Sequence, residues 1–303
     1  MIAQWENKVM SSMLLFLDNQ ICDKGQGYTN VTNQEAYLID SNYSQLTFNL
    51  ANHNLYAYAL PFKQIIIDES VTGANICKTV EVSQDGAAYT SWSPSFPGPN
   101  TELNSILHHK GQFLFDSDIS ALGYTNVRAT CAVKDFNIYI SSKFEEDLLI
   151  NTKYQVNPKI NQTLAGLPDN TETYPAIFLK NMGGTNQPLT IGTRTQNVKT
   201  KVRAVVMADS AFNLDAVCNI LKNTCYLDLP ILESNNLPFN SIGGYRGVIY
   251  DYSIESAAAT EQATIWDVNV TRLNPNSSEL RNLHAEVHSA FVDFEVHGVG
   301  KNT

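Results

Sequence analysis

An α+β fold is predicted, with a β-sandwich-like N-terminal half and a C-terminal antiparallel or mixed sheet covered by a helix. Three observations predict it. Residues 28–140 fall into short, aromatic-rich alternating runs separated by polar turns, which is how β-rich domains read. Residues 201–232, KVRAVVMADSAFNLDAVCNILKNTCYLDLPIL, read as a strand apolar on both faces, a capped helix and a second apolar run. Three further alternating runs, 248–254, 264–273 and 290–297, follow that unit. The expected organisation is an N-terminal helix or arm over 1–27, a β-rich domain over 28–140 and an α+β domain with long loops over 141–303.

Taken in order, residues 2–20 suit an amphipathic helix with Val9, Met13, Phe16 and Leu17 on one side, or a short helix running into a strand, which is the preferred reading. Lys24 to Gly27 makes a turn whose two glycines are too few for a phosphate cradle. Strands are expected at 45–50, 55–58, 64–68, 76–82, 112–116 and 127–140, the last because Phe136, Ile138 and Ile140 alternate with Asn137 and Tyr139. The loop 91–102 is set by its prolines. Its aromatics, Trp92 and Phe96 beside Tyr89, could stack on carbohydrate; because large aromatics in loops usually pack, the preferred reading has them covering an open sheet edge.

A long irregular excursion is expected over 157–173, a strand over 174–180 and a turn at Asn181-Met182-Gly183-Gly184. In the 201–232 unit, Asp209 and Ser210 end the strand and cap the helix, whose Leu214, Val217, Cys218 and Leu221 form one apolar stripe. Asp215 near its start and Lys222 near its end suit the helix dipole. Residues 238–247 are rich in turn formers. In 264–273 the alternation sets Ile265, Asp267 and Asn269 against Trp266, Val268 and Val270.

Composition narrows the function. The 303 residues carry a net charge of -10, which argues against a general nucleic-acid binder, and no basic run occurs. Charged residues are 17%, against about 25% in ordinary soluble proteins, and Asn, Thr, Ser and Gln supply polarity of a kind common where subunits pack together. Cys22, Cys77, Cys131, Cys218 and Cys225 have no metal or CxxC spacing and read as reduced, mostly buried small hydrophobes. The apolar patch 10–17 is too short for a membrane span and lacks a signal-peptide cleavage site, so no membrane partner is expected. The sequons at Asn30 and Asn161 read as coincidence.

Each candidate enzymatic constellation has a plainer role. No GxSxG, Walker, HExxH or GxGxxG motif is present. Asp209-Ser210 could offer a nucleophile or anion site at a strand end, but capping accounts for both. His284, Glu286 and His288 could ligate a metal, yet they read as surface residues before the last strand. His108-His109-Lys110 reads as a solvated loop, and Glu145, Glu146 and Asp147 as an exposed acidic turn. No catalytic, cofactor-binding or metal-binding residue is therefore assigned.

Six stretches, LLFLDNQICDKGQGYTN from Leu14, PFKQIIIDESVTGANI from Pro61, VKDFNIYISSKFEEDLLINTKY from Val133, YPAIFLKNMGGTNQPLTIGT from Tyr174, RAVVMADSAFNLDAVCNIL from Arg203 and FVDFEV from Phe291, together resemble virion structural proteins of T4-like contractile-tailed bacteriophages. The resemblance implies a non-enzymatic building block forming a homo-oligomeric ring at the head-tail junction, as neck, connector or tail terminator. It implies copies of itself and other neck and tail proteins as partners, genomic DNA passing without specific binding, no cofactor, and location in the virion. The N-terminal segment and the 157–173 excursion are the expected inter-subunit arms. The rival is a tail-attached host-binding or decoration protein that grips a glycan through Trp92, Phe96 and Tyr89.

Overall fold

A computed structural model describes residues 5–44, 54–94, 102–151, 155–156, 173–189, 195–232, 249–273 and 287–301. The chain opens with helix α1 (Trp5–Asn19) and leaves it through a π-helical turn at Gln20–Lys24. Seven strands follow: β1 (Tyr28–Ser44), β2 (Asn54–Ala59), β3 (Val80–Ser83), β4 (Thr90–Trp92), β5 (Leu103–Leu107), β6 (Gln112–Phe115) and β7 (Asn126–Lys134). They form one sheet in the order β4-β3-β7-β1-β2-β6-β5.

Strand β1 is the spine of that sheet. Its first half pairs with β7 and its second half with β2, and register shifts after Val31 and Leu38 bend it between the two. The sheet therefore curls until its two wings share one core. Val80, Val82, Val127 and Cys131 come from one wing, and Tyr58, Leu103, Phe113 and Phe115 from the other. This is the sandwich-like half that the alternation predicts.

The remaining strands are β8 (Asn137–Ile140), β9 (Gln155–Val156), β10 (Thr173–Tyr174), β11 (Ala176–Pro188), β12 (Thr195–Ala208), β13 (Asp228–Ile231), β14 (Glu261–Arg272) and β15 (His288–Lys301). β9 and β10 make a small parallel ladder. The others form a second sheet in the order β13-β14-β15-β12-β11-β8, antiparallel throughout except for the parallel pair β11/β8. Helix α2 (Ala211–Lys222) is capped by Ser210, whose hydroxyl accepts from the Asn213 amide at 3.1 Å, and helix α3 (Tyr252–Ala257) by Asp251.

The inner face of this sheet, with Ile177, Val202, Val206, Val292 and Phe294, is covered by the α2 stripe Leu214, Val217, Cys218 and Leu221, all buried as predicted. It is also covered by α1. The preferred reading split residues 2–20 into a short helix and a strand, with the segment reaching a neighbour as an arm. Instead the helix is continuous and every residue from Val9 to Asn19 is buried, because Met, Leu and Phe surround it and a helix apolar all round must be enclosed. The Ser12 hydroxyl accepts from the Leu232 amide at 2.9 Å, fixing α1 against the end of β13.

Four other expectations change. The run 127–140 breaks at Asp135-Phe136, so β7 and β8 belong to different sheets, and β8 joins the second sheet although the expected unit boundary lies after residue 140. Asn181 to Gly184 is a bulge inside β11, with Gly183 at φ +82°, because a side chain at Gly184 would place its Cβ 2.1 Å from the Lys199 carbonyl oxygen. Residues 64–68 contribute only isolated bridges, Ile65 to Val133 and Asp68 to Tyr250. The expected strand 248–254 gives way to α3, because the Asp251 carboxylate accepts from the Ile254 amide at 3.1 Å and starts a helix. The expected strand 45–50, the excursion 157–172, the turn-rich 238–247 and Phe96 lie outside the described residues.

A buried polar seam joins the two sheets. Lys134 at the end of β7 donates to both oxygens of Asp18 in α1 at 2.7 Å, with each side chain 5% exposed. Asp68 accepts from Asn19 Nδ2 at 3.0 Å, from the Ser70 hydroxyl at 2.8 Å and from the Tyr252 amide at 2.9 Å. Gln64 occupies the free edge of β8, donating to the Ile138 carbonyl and accepting from the Ile138 amide, each at 3.0 Å. A side chain thereby substitutes for a neighbouring strand.

Candidate functional site

The outer face of the second sheet changes character along its strands. Odd-numbered residues of β12 and β15 point outward. At one end Phe178, Val205 and Met207 are buried under Leu148 and Leu149 from the turn after β8. Toward the other end the same face carries charge. Arg203 makes a fork with Asp293, Nε to Oδ1 at 2.6 Å and Nη2 to Oδ2 at 3.0 Å, and reaches Glu145 at 3.4 Å. Lys180 binds Glu145 at 2.7 Å, and Lys199 lies 3.5 Å from Glu295.

These pairs border a groove of about 350 Å³ lined by Met182, Lys201, Arg203, Asp267, Asn269 and Glu295, among others. The Arg203 fork raises the guanidinium's pKa, and hydrogen bonds from Lys180 to Glu145 and from His297 to Glu295 lower those carboxylates. Carboxylates held ionised in this way suit hydrogen-bond acceptance rather than proton transfer near neutral pH.

Beside the groove stands an aromatic cluster. Trp266, 52% exposed, lies parallel to the His297 ring with centroids 5.2 Å apart, and Tyr226, 70% exposed, meets it edge-on at 5.9 Å. His297 Nε2 is 2.5 Å from Glu295 Oε1, which links the aromatics to the groove. Two backbone departures make this arrangement. A register shift between Ile265 and Asp267 lets Ile265 and Val268 both face the core, so Trp266 turns outward and not to the Val268 side that unbroken alternation assigns it. Tyr226 is held at φ +65°, its amide donating to the Ile265 carbonyl at 2.7 Å.

The candidate site residues of the sequence are dispersed. Asp209 accepts from Asn213 Nδ2 at 2.6 Å, so with Ser210 it serves the start of α2. His288 opens β15, while His284 and Glu286 lie outside the described residues. His108 is not solvated: it is 2% exposed, its Nε2 is 2.9 Å from the Cys77 carbonyl oxygen, and burial lowers its pKa to about 4. Glu145 is half-buried between its two cations, unlike the exposed turn expected of it. Trp92 packs edge-on against Phe115 and Tyr124 at 6.1 and 5.1 Å, which is a covering contact, and Tyr89 lies under the Arg128 guanidinium at 3.4 Å.

All five cysteines are free and four are buried, with burial pushing the Cys77 thiol up to about 12 and the Cys218 thiol to about 11. Among the described residues no group of three or more His, Cys, Asp or Glu side chains could hold a metal, and no helix is long and apolar enough to cross a membrane. Compared with known proteins, the chain matches no family model and no curated sequence.

Proposed function

We propose that this chain is a non-enzymatic structural component of a tailed-phage virion, forming a homo-oligomeric ring at the head-tail junction as neck, connector or tail terminator. The observation that supports it is a pair of half-open edges on opposite sides of the second sheet. β8 covers β11 only from Ala176 to Leu179, and among the described residues the stretch 180–188 has no strand beyond it. On the other side β13 covers β14 only from Glu261 to Thr264, and among the described residues the stretch 267–272, paired with β15 on its inner side, has no strand on its outer side. Across β14-β15-β12-β11 every neighbour is antiparallel, so β14 and β11 run in opposite directions.

A second copy placed in the same orientation would set its β14 antiparallel to β11 of the first and extend one sheet across the boundary. Such a contact joins two different surfaces, so repetition closes a ring or runs on as a filament. The bulge at 181–184 and Pro188, which has no amide to donate, limit the available run of β11 and set its register. In this reading the other neck and tail proteins are further partners, and the acidic balance lets genomic DNA pass without specific binding.

The test is light scattering of the purified chain across protein concentration, with negative-stain imaging of the same sample. A closed ring of about six or twelve copies supports the proposal. The double variant Thr185→Lys/Asn186→Lys, which puts charge on the edge, should dissolve it. A monomer at every concentration argues against self-assembly of the chain, and a trimer favours the fibre-like, host-binding rival.

A further inference from the structure

We propose that the exposed Trp266 ring and the adjoining groove form a binding site for a neutral saccharide. This goes beyond the ring reading and does not depend on it. Several features converge on the spot. Trp266 and Tyr226 are two of the larger exposed aromatics and touch each other. One departs from strand register and the other from ordinary backbone geometry, at φ +65°. Strain of that kind persists where surrounding structure enforces it, often at ligand clamps. The His297 ring backs Trp266 in parallel and is itself held by Glu295, so the indole is fixed in place and its exposed half is offered to solvent.

The groove identifies the ligand class. Its lining carries three carboxylates, Asp267, Asp293 and Glu295, against two cations, Lys201 and Arg203, and Arg203 is forked to Asp293. A phosphate or nucleic acid would meet more carboxylates than cations there, with Arg203 already committed to Asp293. An apolar protein surface would have to strip water from several ion pairs without replacing their hydrogen bonds. A sugar fits both halves of the site. The C–H face of a pyranose ring stacks on the flat, electron-rich indole, and its hydroxyls, each donor and acceptor, bond to paired carboxylates and amides without needing net charge. Asp267 and Asn269, which line the groove from the same strand as Trp266, are the acceptor and donor nearest in sequence to the stacking face.

The glycan-gripping role considered for Trp92 is thereby placed on the opposite sheet, since Trp92 covers Phe115 and Tyr124. The experiment uses the purified full chain on a printed array of neutral and acidic glycans. Free saccharides that score are then titrated by intrinsic fluorescence, which reports on Trp5, Trp92 and Trp266. Binding of at least one neutral saccharide is expected, weakened about tenfold or more by Trp266→Ala, partly kept by Trp266→Phe and unchanged by Trp92→Ala. Silence across the array, binding of acidic glycans alone, or equal affinity in the Trp266→Ala protein overturns the proposal. Light scattering on the same samples reads the ring separately, so either idea can fail without the other.

Discussion

Replacing Lys134 by Met should be among the most damaging single changes the fold can suffer, and replacing Asp18 by Leu at the same time should undo most of the damage. The two side chains meet at 2.7 Å, each 5% exposed, where α1 touches the end of β7. At an effective dielectric of about 20 the direct attraction at this distance is about 6 kcal/mol, offset by the desolvation of both ions. Removing the ammonium alone leaves a buried carboxylate whose nearest remaining partner of note is the Cys22 thiol at 3.9 Å. The expected cost is about 3–5 kcal/mol.

The Asp18→Leu/Lys134→Met pair removes both desolvation penalties and should lie within about 2 kcal/mol of the parent, on either side. Equilibrium urea unfolding of the four proteins of the cycle, at one protein concentration, gives the coupling energy. A coupling below about 1 kcal/mol would mean that water or another group reaches the pair, and would refute the account of the seam as a dry ionic lock.

Leu221→Ala, at the fully buried end of the α2 stripe, should cost about 2–5 kcal/mol in the same assay. His108 must stay neutral in the fold and its pKa is lowered to about 4, so the stability it contributes is complete above about pH 6.5 and is lost as pH falls toward 4. Urea midpoints between pH 7 and 4 should therefore fall more steeply for the parent than for His108→Gln, by up to about 3 kcal/mol over the window. Gly184→Ala should destabilise by at least about 1 kcal/mol, because its new methyl would meet the Lys199 carbonyl; an unchanged melting temperature would mean the bulge relaxes freely. With a thiol reagent, half-buried Cys225 should react in the native state well before Cys77 and Cys131.

What the sequence displays is decided by whether a pattern runs unbroken. The strand, cap and stripe from 201 to 222 were legible because no bulge interrupts 202–208 and the cap is followed by a clean helical repeat. β1 was not: its register shifts after Val31 and Leu38 reset the two-residue period, and YTNVTNQEAYLIDSNYS shows little alternation. The same loss of phase hid Trp266, whose outward direction follows from the shift beside it. The break at Asp135-Phe136 was invisible for the opposite reason. Phe136 and Ile138 keep alternating and are both buried, but against the second core and not the first. His108 reads as polar in isolation, and only the tertiary placement of the Cys77 carbonyl explains its burial.

That break has a mechanical meaning. β7 and β8 are neighbours in the chain yet are hydrogen-bonded into different sheets, so a pull on one sheet passes to the other through the two peptides of Asp135 and Phe136. The joint is clamped on both sides, by the Asp135 amide donating to the Gly27 carbonyl at 2.9 Å and the Asn137 amide donating to the Pro175 carbonyl at 3.0 Å. Tension along that path loads rows of strand hydrogen bonds together, in shear, and not one after another. The two sheets therefore share load as one body.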